Sequence, residues 1–369
     1  MRISVPTETK PAETRVALTP ASVHELVHDG HDVLVQSGAG ARSGFPDADY
    51  EVAGARIGAT ADEVWAHGEL LVKVKEPVEP EYRLLHRDQT VFAYLHLAAS
   101  RPCTEAILRS GTTAIAFETV RAADGSLPLL TPMSEVAGRL AAIAAARFLL
   151  HSAGGRGVLP GGIAGVPRAS AVVIGGGTAG EHATASLVGL GADVTVFDVS
   201  VPRLRHFETR FGQAVETRTP SRTAIAAALR DADAVIGSVL VPGAAAPKLV
   251  TLDMVEGMRE GSVLVDIAID QGGCFEGSRP TTHDDPVFRV GPATYYCVAN
   301  MPAAVPVTST AALDAAILPY MRRLAGLGWR EAVAADAGFA RGLTASAGVL
   351  HERAVAESLG LDWRPYDGA

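Results

Sequence analysis

The chain has 369 residues, 48% of them hydrophobic and 20% charged, with 38 glycines, the length and make-up of two globular α/β cores rather than of a disordered or fibrous protein. A net charge of −9 and a pI near 5.7 exclude the basic footprint that nucleic acids require, so neither nucleic acid nor an anionic membrane is an expected partner. The longest apolar helical stretch, 137–150, contains Arg139 and Arg147 and is shorter than the roughly 20 apolar residues a bilayer span needs.

In chain order, M-R-I-S-V-P opens directly on a strand at 2–6, with no charged leader or cleavage site before it, so no signal peptide is expected. Thr19 then offers an N-cap, with Pro20 at the first helical position and Leu18 and Val23 at staple positions. Gly30 stops that helix. Further strands read at 32–36, 70–74, 90–94 and 113–117, separated by helical spacers, the alternation of a parallel sheet. Their polar residues gather at the C-terminal ends, where open parallel sheets bind ligands.

A long Ala/Leu-rich helix is predicted over 133–151, preceded by Pro132. The Gly-rich run 154–165 reads as a loop or short hairpin. A second α/β unit follows, with strands near 171–174, 193–197, 233–237 and 262–267. Beyond Pro306 the pattern returns to helix and is expected to dock on the first domain. The division expected is 1–130 plus 307–369 for one domain and 131–306 for the other. Cys103, Cys274 and Cys297 form no C-x-x-C pair; each is either a nucleophile or a small packing residue, and the odd count suits a reducing cytoplasm.

The segment V-V-I-G-G-G-T-A-G at 172–180 is followed by V-T-V-F-D, which ends at Asp198. A β-branched run feeding Gly175, Gly177 and Gly180, with an acidic residue closing the next strand, is the pattern of a dinucleotide-binding βαβ unit. Gly175 permits the tight turn, Gly177 lets the backbone approach a pyrophosphate at the helix N-terminus, and Gly180 allows close helix–strand packing. Asp198 can accept ribose hydroxyls and would repel a 2′-phosphate, which favours NAD over NADP. Arg203 and Arg205 either pair with such a phosphate or cover the adenine and ribose edge.

Several polar residues stand where apolar patterning predicts sheet or buried turn. Arg15 lies in A-E-T-R-V-A-L-T-P, Lys73 and Lys75 in L-L-V-K-V-K-E-P, His96 in F-A-Y-L-H-L-A-A-S, and Asp270 in V-D-I-A-I-D-Q-G-G. Cations and a histidine on one domain with a carboxylate on the other suit a small anionic substrate. No cluster has metal-ligand spacing, so no metal is expected.

P-T-E-T-K at 6–10, R-V-A-L-T-P at 15–20, K-V-K-E-P at 73–77, F-A-Y-L-H-L-A-A-S at 92–100, P-M-S-E-V-A-G-R-L at 132–140, G-G-G-T-A-G at 175–180, V-D-I-A-I-D-Q-G-G-C-F-E at 265–276 and V-A-N-M-P at 298–302 together resemble the bacterial L-alanine dehydrogenase family, which is related to transhydrogenase α-subunits. The resemblance runs from residue 1 to about 329. It implies two doubly wound α/β domains, a Rossmann NAD-binding domain and a discontinuous substrate domain built from both chain ends, with a cleft between them. It also implies a homohexamer that oxidises L-alanine to pyruvate and ammonium with NAD.

Position by position, the resemblance implies that Arg15 and Lys75 hold the substrate carboxylate, Arg15 by a forked contact and Lys75 as a point charge. His96 matches the acid/base histidine, and Asp270 the catalytic carboxylate near the nicotinamide. Met133, Ser134 and Asn300 would flank substrate and nicotinamide. Gly175, Gly177, Thr178, Ala179, Gly180, Asp198, Arg203 and Arg279 would hold the dinucleotide, while Val239, Leu240, Ile267, Val298 and Met301 line its place. Glu181, His182 and Pro220 depart from the family pattern. Three rival readings stay open: a transhydrogenase-like nucleotide-binding protein, the same chemistry on another small 2-amino or 2-oxo acid, and a catalytically silent NAD-binding regulator. A single methylene is worth only about 1–3 kcal/mol in a pocket, so the side chain of the substrate is weakly fixed.

Overall fold

The computed structural model describes residues 1–239 and 246–367. Two compact units make up the chain, one formed by Met1–Met133 with Ala303–Ala369 and the other by Ser134–Pro302.

The first unit begins with strands β1 (Arg2–Val5), β2 (Asp32–Gln36), β3 (Arg56–Gly58), β4 (Leu70–Val72), β5 (Thr90–Ala93) and β6 (Thr113–Ala116), joined by helical crossovers. The helix Pro20–His28 starts as its sequence dictates, with the Thr19 side chain accepting the Ser22 N–H. Strands β2 and β3 build outward on one side of β1, and the chain then crosses to lay β4, β5 and β6 on the other. The strand order thus reverses between β1 and β4, and segments leaving their carboxyl ends splay apart to leave room for a ligand.

The helix Thr131–Phe148 carries the chain into the second unit. It stops three residues short of its predicted end because the chain doubles back: Gly154 takes φ 82°, and a Cβ on Gly155 would lie 1.9 Å from the Phe148 carbonyl oxygen. The Gly-rich run that follows is a loop with one antiparallel bridge, Ile163 to Val166.

The second sheet contains β7 (Ser170–Ile174), β8 (Asp193–Phe197), β9 (Val215–Arg218), β10 (Ala234–Gly237), β11 (Val263–Asp266), β12 (Val287–Val290) and β13 (Ala293–Tyr296). Its order is β12-β13-β11-β10-β7-β8-β9, parallel except for β12. Successive strand residues feed opposite cores: Val173, Val196, Ile236 and Val265 pack on one face, and Val172, Ile174, Phe197, Val235 and Leu264 on the other. Both faces are therefore covered, which is why these strands read as continuous apolar runs. The reversal of order falls between β7 and β10, where Gly175 stands beside Ser238 and Val239.

The chain then returns to the first unit through the helix Pro306–Leu327. Asp314 on that helix accepts the Thr19 N–H at 2.9 Å and the Thr19 and Ser22 hydroxyls at 2.8 Å each. Strand β14 (Leu343–Ser346) extends the first sheet antiparallel to β6, and β15 (Val349–Leu350) pairs antiparallel to β14, giving the order β15-β14-β6-β5-β4-β1-β2-β3.

Candidate functional site

In the first unit the polar residues singled out from sequence stand on the segments that leave β1, β4 and β5. Arg15 is buried, and burial works against its charge, yet the Glu13 carboxylate beside it holds its pKa above the ordinary value. Glu13 takes one edge of the guanidinium, with Nε donating to Oε1 at 2.7 Å and Nη2 to Oε2 at 2.6 Å, while Nη1 lies 2.9 Å from the Met133 sulfur. Arg15 is thus oriented by an internal carboxylate, a relation that sequence spacing does not disclose.

Lys75 is also buried, and the loop that presents it is pinned by Glu8. The Glu8 carboxylate accepts the Val74 N–H at 2.6 Å and the Lys75 N–H at 3.3 Å. Lys73 plays a different part from its neighbour. Its ammonium is fully buried, donates to both oxygens of Glu81 at 2.6 Å, and lies 3.9 Å from Glu8, so its charge is absorbed inside the fold.

His96 follows β5 in the left-handed conformation, φ 44° and ψ 40°, a backbone cost of roughly 1–2 kcal/mol for a residue with a Cβ. Glu118, after β6, offsets it by accepting the His96 N–H at 2.7 Å and the Leu95 N–H at 3.2 Å. The imidazole Nδ1 lies 3.8 Å from the same carboxylate, and its ring runs parallel to that of Tyr94. Desolvation and the cations Lys75, Lys10 and Arg15 hold the His96 pKa well below its ordinary value.

Burial pushes the Glu8 carboxyl up from its ordinary 4.5 to about 7, with Lys73 opposing the shift. Between these two values the folded chain binds more protons at Glu8 than the unfolded chain does, so this group makes stability fall as pH rises through the window. Glu8→Gln should flatten that fall. Urea unfolding across the window checks it, and a slope parallel to the wild type would contradict it.

In the second unit the glycines behave as the Gly-rich turn requires. Gly175 takes φ 103°, and a Cβ there would lie 2.9 Å from Val239 Cγ2. A Cβ on Gly180 would lie 1.8 Å from the Gly175 carbonyl oxygen, so only glycine allows this helix–turn approach. Gly177 caps the helix Thr178–Gly189 with no side-chain bond, and a Cβ there would meet nothing within 4 Å. The open space before the unpaired N–H groups of Thr178 and Ala179 fits a dinucleotide pyrophosphate.

Asp198 follows β8 and is half-buried. One carboxylate oxygen accepts the Gly176 N–H at 2.6 Å and the other the Ser200 N–H at 2.7 Å, so the carboxylate braces the Gly-rich turn before any ligand arrives. Each oxygen keeps acceptor capacity for a ribose hydroxyl. Arg203 donates through Nε to the Gly176 carbonyl at 2.8 Å.

Asp270 is exposed on the 3₁₀ turn Ile267–Gln271 that follows β11. The buried Asp266 organises this segment: it accepts the Cys274 N–H at 2.9 Å, the Phe275 N–H at 3.3 Å and the Ser278 hydroxyl at 2.6 Å. Ser134, Val239 and Ile267 are half-buried, Val298 and Met301 are buried, and Asn300 holds φ 60°. Arg279 is exposed, its guanidinium 4.4 Å from the Phe288 ring. Leu240 lies outside the described residues. Cys103, Cys274 and Cys297 are buried free thiols, each pushed by burial to about 12; they are packing residues rather than nucleophiles. Among the described residues no group of three or more His, Cys, Asp or Glu is disposed to hold a metal ion, and no helix is long and apolar enough to cross a membrane.

Five carboxylates that order these segments, Glu8, Glu13, Glu81, Glu118 and Asp266, were not singled out by sequence. Their signal is an acidic residue inside an otherwise apolar or tightly turning motif, as in P-T-E-T-K, A-F-E-T and V-L-V-D-I.

Comparison with known proteins agrees along nearly the whole chain. Residues 4–137 match the family model "Alanine dehydrogenase/PNT, N-terminal domain" and residues 141–353 match "Alanine dehydrogenase/PNT, C-terminal domain". The alanine dehydrogenase of Mycolicibacterium smegmatis is 56% identical over 98% of this chain and 97% of its own, and that of Halomonas elongata 52% identical over 98% of each. Among solved structures, an L-alanine dehydrogenase superposes with a TM-score of 0.94 at 48% identity, covering 98% of this chain and 99% of that one. A transhydrogenase from Sinorhizobium meliloti gives 0.83 at 27% identity over 95% and 100%. With both family domains matched and relatives above half identity over almost its full length, this chain belongs to the alanine dehydrogenase/PNT family.

Proposed function

We propose that this protein catalyses the reversible oxidative deamination of L-alanine to pyruvate and ammonium with NAD as cofactor. The observation that carries the reading is the His96 cluster, in which a histidine held through its N–H by Glu118 at 2.7 Å stands within the field of Lys75, Lys10 and Arg15, because it joins anion-binding charge to a proton-transfer group. The high identity to proteins named alanine dehydrogenase over nearly the whole chain supports the same reading. NAD⁺, when bound, accepts the hydride from Cα of alanine.

The remaining work falls to side chains. Arg15 and Lys75 bind the alanine carboxylate and so fix the orientation of Cα, with Met133 and Asn300 bounding the small side chain. Once the substrate ammonium has given up a proton, loss of hydride leaves an iminium, to which water adds. His96 accepts a proton from that water as the carbinolamine forms; after this proton has passed to the amine nitrogen, His96 accepts the hydroxyl proton as ammonia departs and the carbonyl closes. Asp270 stabilises the cationic nitrogen and exchanges its protons. The products balance as pyruvate, ammonium, NADH and one proton.

For the dinucleotide, Gly175, Gly177, Thr178, Ala179 and Gly180 would take the pyrophosphate, Asp198 and Arg203 the ribose edge, and Ser134, Val239, Leu240, Ile267, Arg279, Val298 and Met301 the remainder. Exposed Ile143, Leu159, Ile163 and Val166 on the second unit, each more than half exposed, favour a homo-oligomer, hexameric as the resemblance implies. Three buried free thiols suit a reducing cytoplasm.

Steady-state oxidation of L-alanine with NAD⁺ tests the reading through Arg15→Lys. Lysine keeps the charge but loses the planar fork through which Glu13 orients the guanidinium, and with it the placement of Nη1, so KM for L-alanine should rise about tenfold or more while KM for NAD⁺ holds. An unchanged KM for alanine would remove Arg15 from the carboxylate site.

A further inference from the structure

Beside the Gly-rich turn of the second unit lies a charge cluster that neither the turn nor the proposed reaction requires. Glu181 follows Gly180 in the first turn of the helix Thr178–Gly189, and its side chain is buried. Its Oε2 accepts Arg203 Nη2 at 2.7 Å, and its Oε1 contacts His206 Nε2 at 2.9 Å and Arg210 Nη1. All three basic residues come from the helix Val201–Phe211, just after Asp198.

Arg203 connects this cluster to the turn. Its Nε donates to the Gly176 carbonyl at 2.8 Å, and the N–H of the same Gly176 donates to Asp198 at 2.6 Å. A single residue therefore separates the guanidinium from the carboxylate expected on the ribose. Nε and Nη2 are the forked edge of arginine, the edge best suited to phosphate oxygens. Here that edge is spent on Gly176 and Glu181. Arg210 is likewise drawn to Glu181. Within this group the carboxylates Glu181 and Asp198 balance the guanidiniums Arg203 and Arg210, and removing Glu181 leaves an excess of positive charge where a 2′-phosphate would sit.

We propose that Glu181 is a specificity-determining residue for the dinucleotide: by engaging Arg203 and Arg210 it withholds them from a 2′-phosphate and so reinforces the discrimination by Asp198. The inference rests on the dinucleotide reading of the site. It assigns Glu181 an action on the ribose end through Arg203, with no direct contact to the reacting atoms.

Equilibrium titration of the purified protein with NADH and with NADPH, followed by nucleotide fluorescence, tests it without turnover. Glu181→Gln should tighten NADPH binding about tenfold or more and shift the NADH dissociation constant less than about threefold. The gain should vanish when Arg203→Gln is added, and shrink at high salt, which screens an exposed phosphate contact. Should the amide variant fail to fold, Glu181→Met removes the same charge at similar length and carries the same expectation. An unchanged ratio of the two constants, or a parallel loss of both, would overturn the proposal, since a merely structural residue weakens both nucleotides together. Wild-type protein that binds NADH alongside an unmoved ratio refutes the role of Glu181 and leaves the cofactor reading standing; wild-type protein that binds neither nucleotide refutes both.

Discussion

Replacing His96 with alanine is expected to lower kcat for L-alanine oxidation by about 100- to 10,000-fold, the usual contribution of a positioned acid/base, while leaving the NADH dissociation constant unchanged. The separation follows from where the residue stands: His96 belongs to the first unit, whereas the Gly-rich turn and Asp198 belong to the second. The backbone at His96 is left-handed, so part of any alanine effect could come from the strand end rather than from the ring. His96→Asn isolates the chemistry, because asparagine tolerates that conformation, and the backbone N–H that Glu118 accepts is present in both variants. Both variants should lose turnover alike. Burial and the surrounding cations keep the imidazole in its base form to more acidic pH than an ordinary histidine, so the acid limb of the wild-type kcat/KM profile should fall below about 6.5. Near-normal kcat in His96→Asn would sink the assignment.

The second large effect is on stability. Lys73→Met is expected to cost about 3–5 kcal/mol of unfolding free energy, the range for breaking a buried ion pair by removing one partner. Lys73 is wholly buried and neutralises Glu81 at 2.6 Å while facing Glu8 at 3.9 Å. Methionine matches its length but strands two buried carboxylates beside each other. Arg322→Met, which breaks exposed bonds to Asp29, should leave stability nearly unchanged, as exposed pairs contribute little. Urea unfolding of the two variants side by side checks the contrast, and equal midpoints would contradict the burial argument. Because Glu8 also pins the loop that carries Lys75, Lys73→Met should raise KM for alanine as well.

Lys73 and Lys75 also show how far the sequence could be read. Two lysines one residue apart at the end of an apolar strand gave the same signal, a pair of cations at a sheet's carboxyl edge. An extended chain would turn residues 73 and 75 to the same side; their fates diverge because the strand ends at Val72 and the chain bends at 74–75, and only the packed structure brings Glu81, from the turn that follows β4, under one of them. The Gly-rich turn was legible because its constraints are local: φ 103° at Gly175 and the missing Cβ at Gly180 leave glycine as the one solution. The cap at Thr19 was legible for the same reason.

What escaped was non-local. Strand β14 is only four residues, L-T-A-S, and its place depends on pairing with β6 more than 200 residues earlier. Glu13 and Glu118 are not singled out by sequence because a carboxylate is buried only when its partners close around it, and those partners, Arg15 Nη2 and the His96 N–H, meet them through loop geometry. Glu181 reads from sequence only as a departure from the family pattern; the structure turns it onto Arg203, His206 and Arg210.

The roles proposed for Arg15, Lys75, His96 and Asp270 call for an amino acid and not a hydroxy acid or a second nucleotide. NADH oxidation by the purified protein with pyruvate, run with and without ammonium, tests them most directly. Oxidation should require both pyruvate and ammonium and yield L-alanine in amounts equal to the NADH consumed. Oxidation independent of ammonium, or seen only when a second nicotinamide dinucleotide replaces pyruvate, would contradict them.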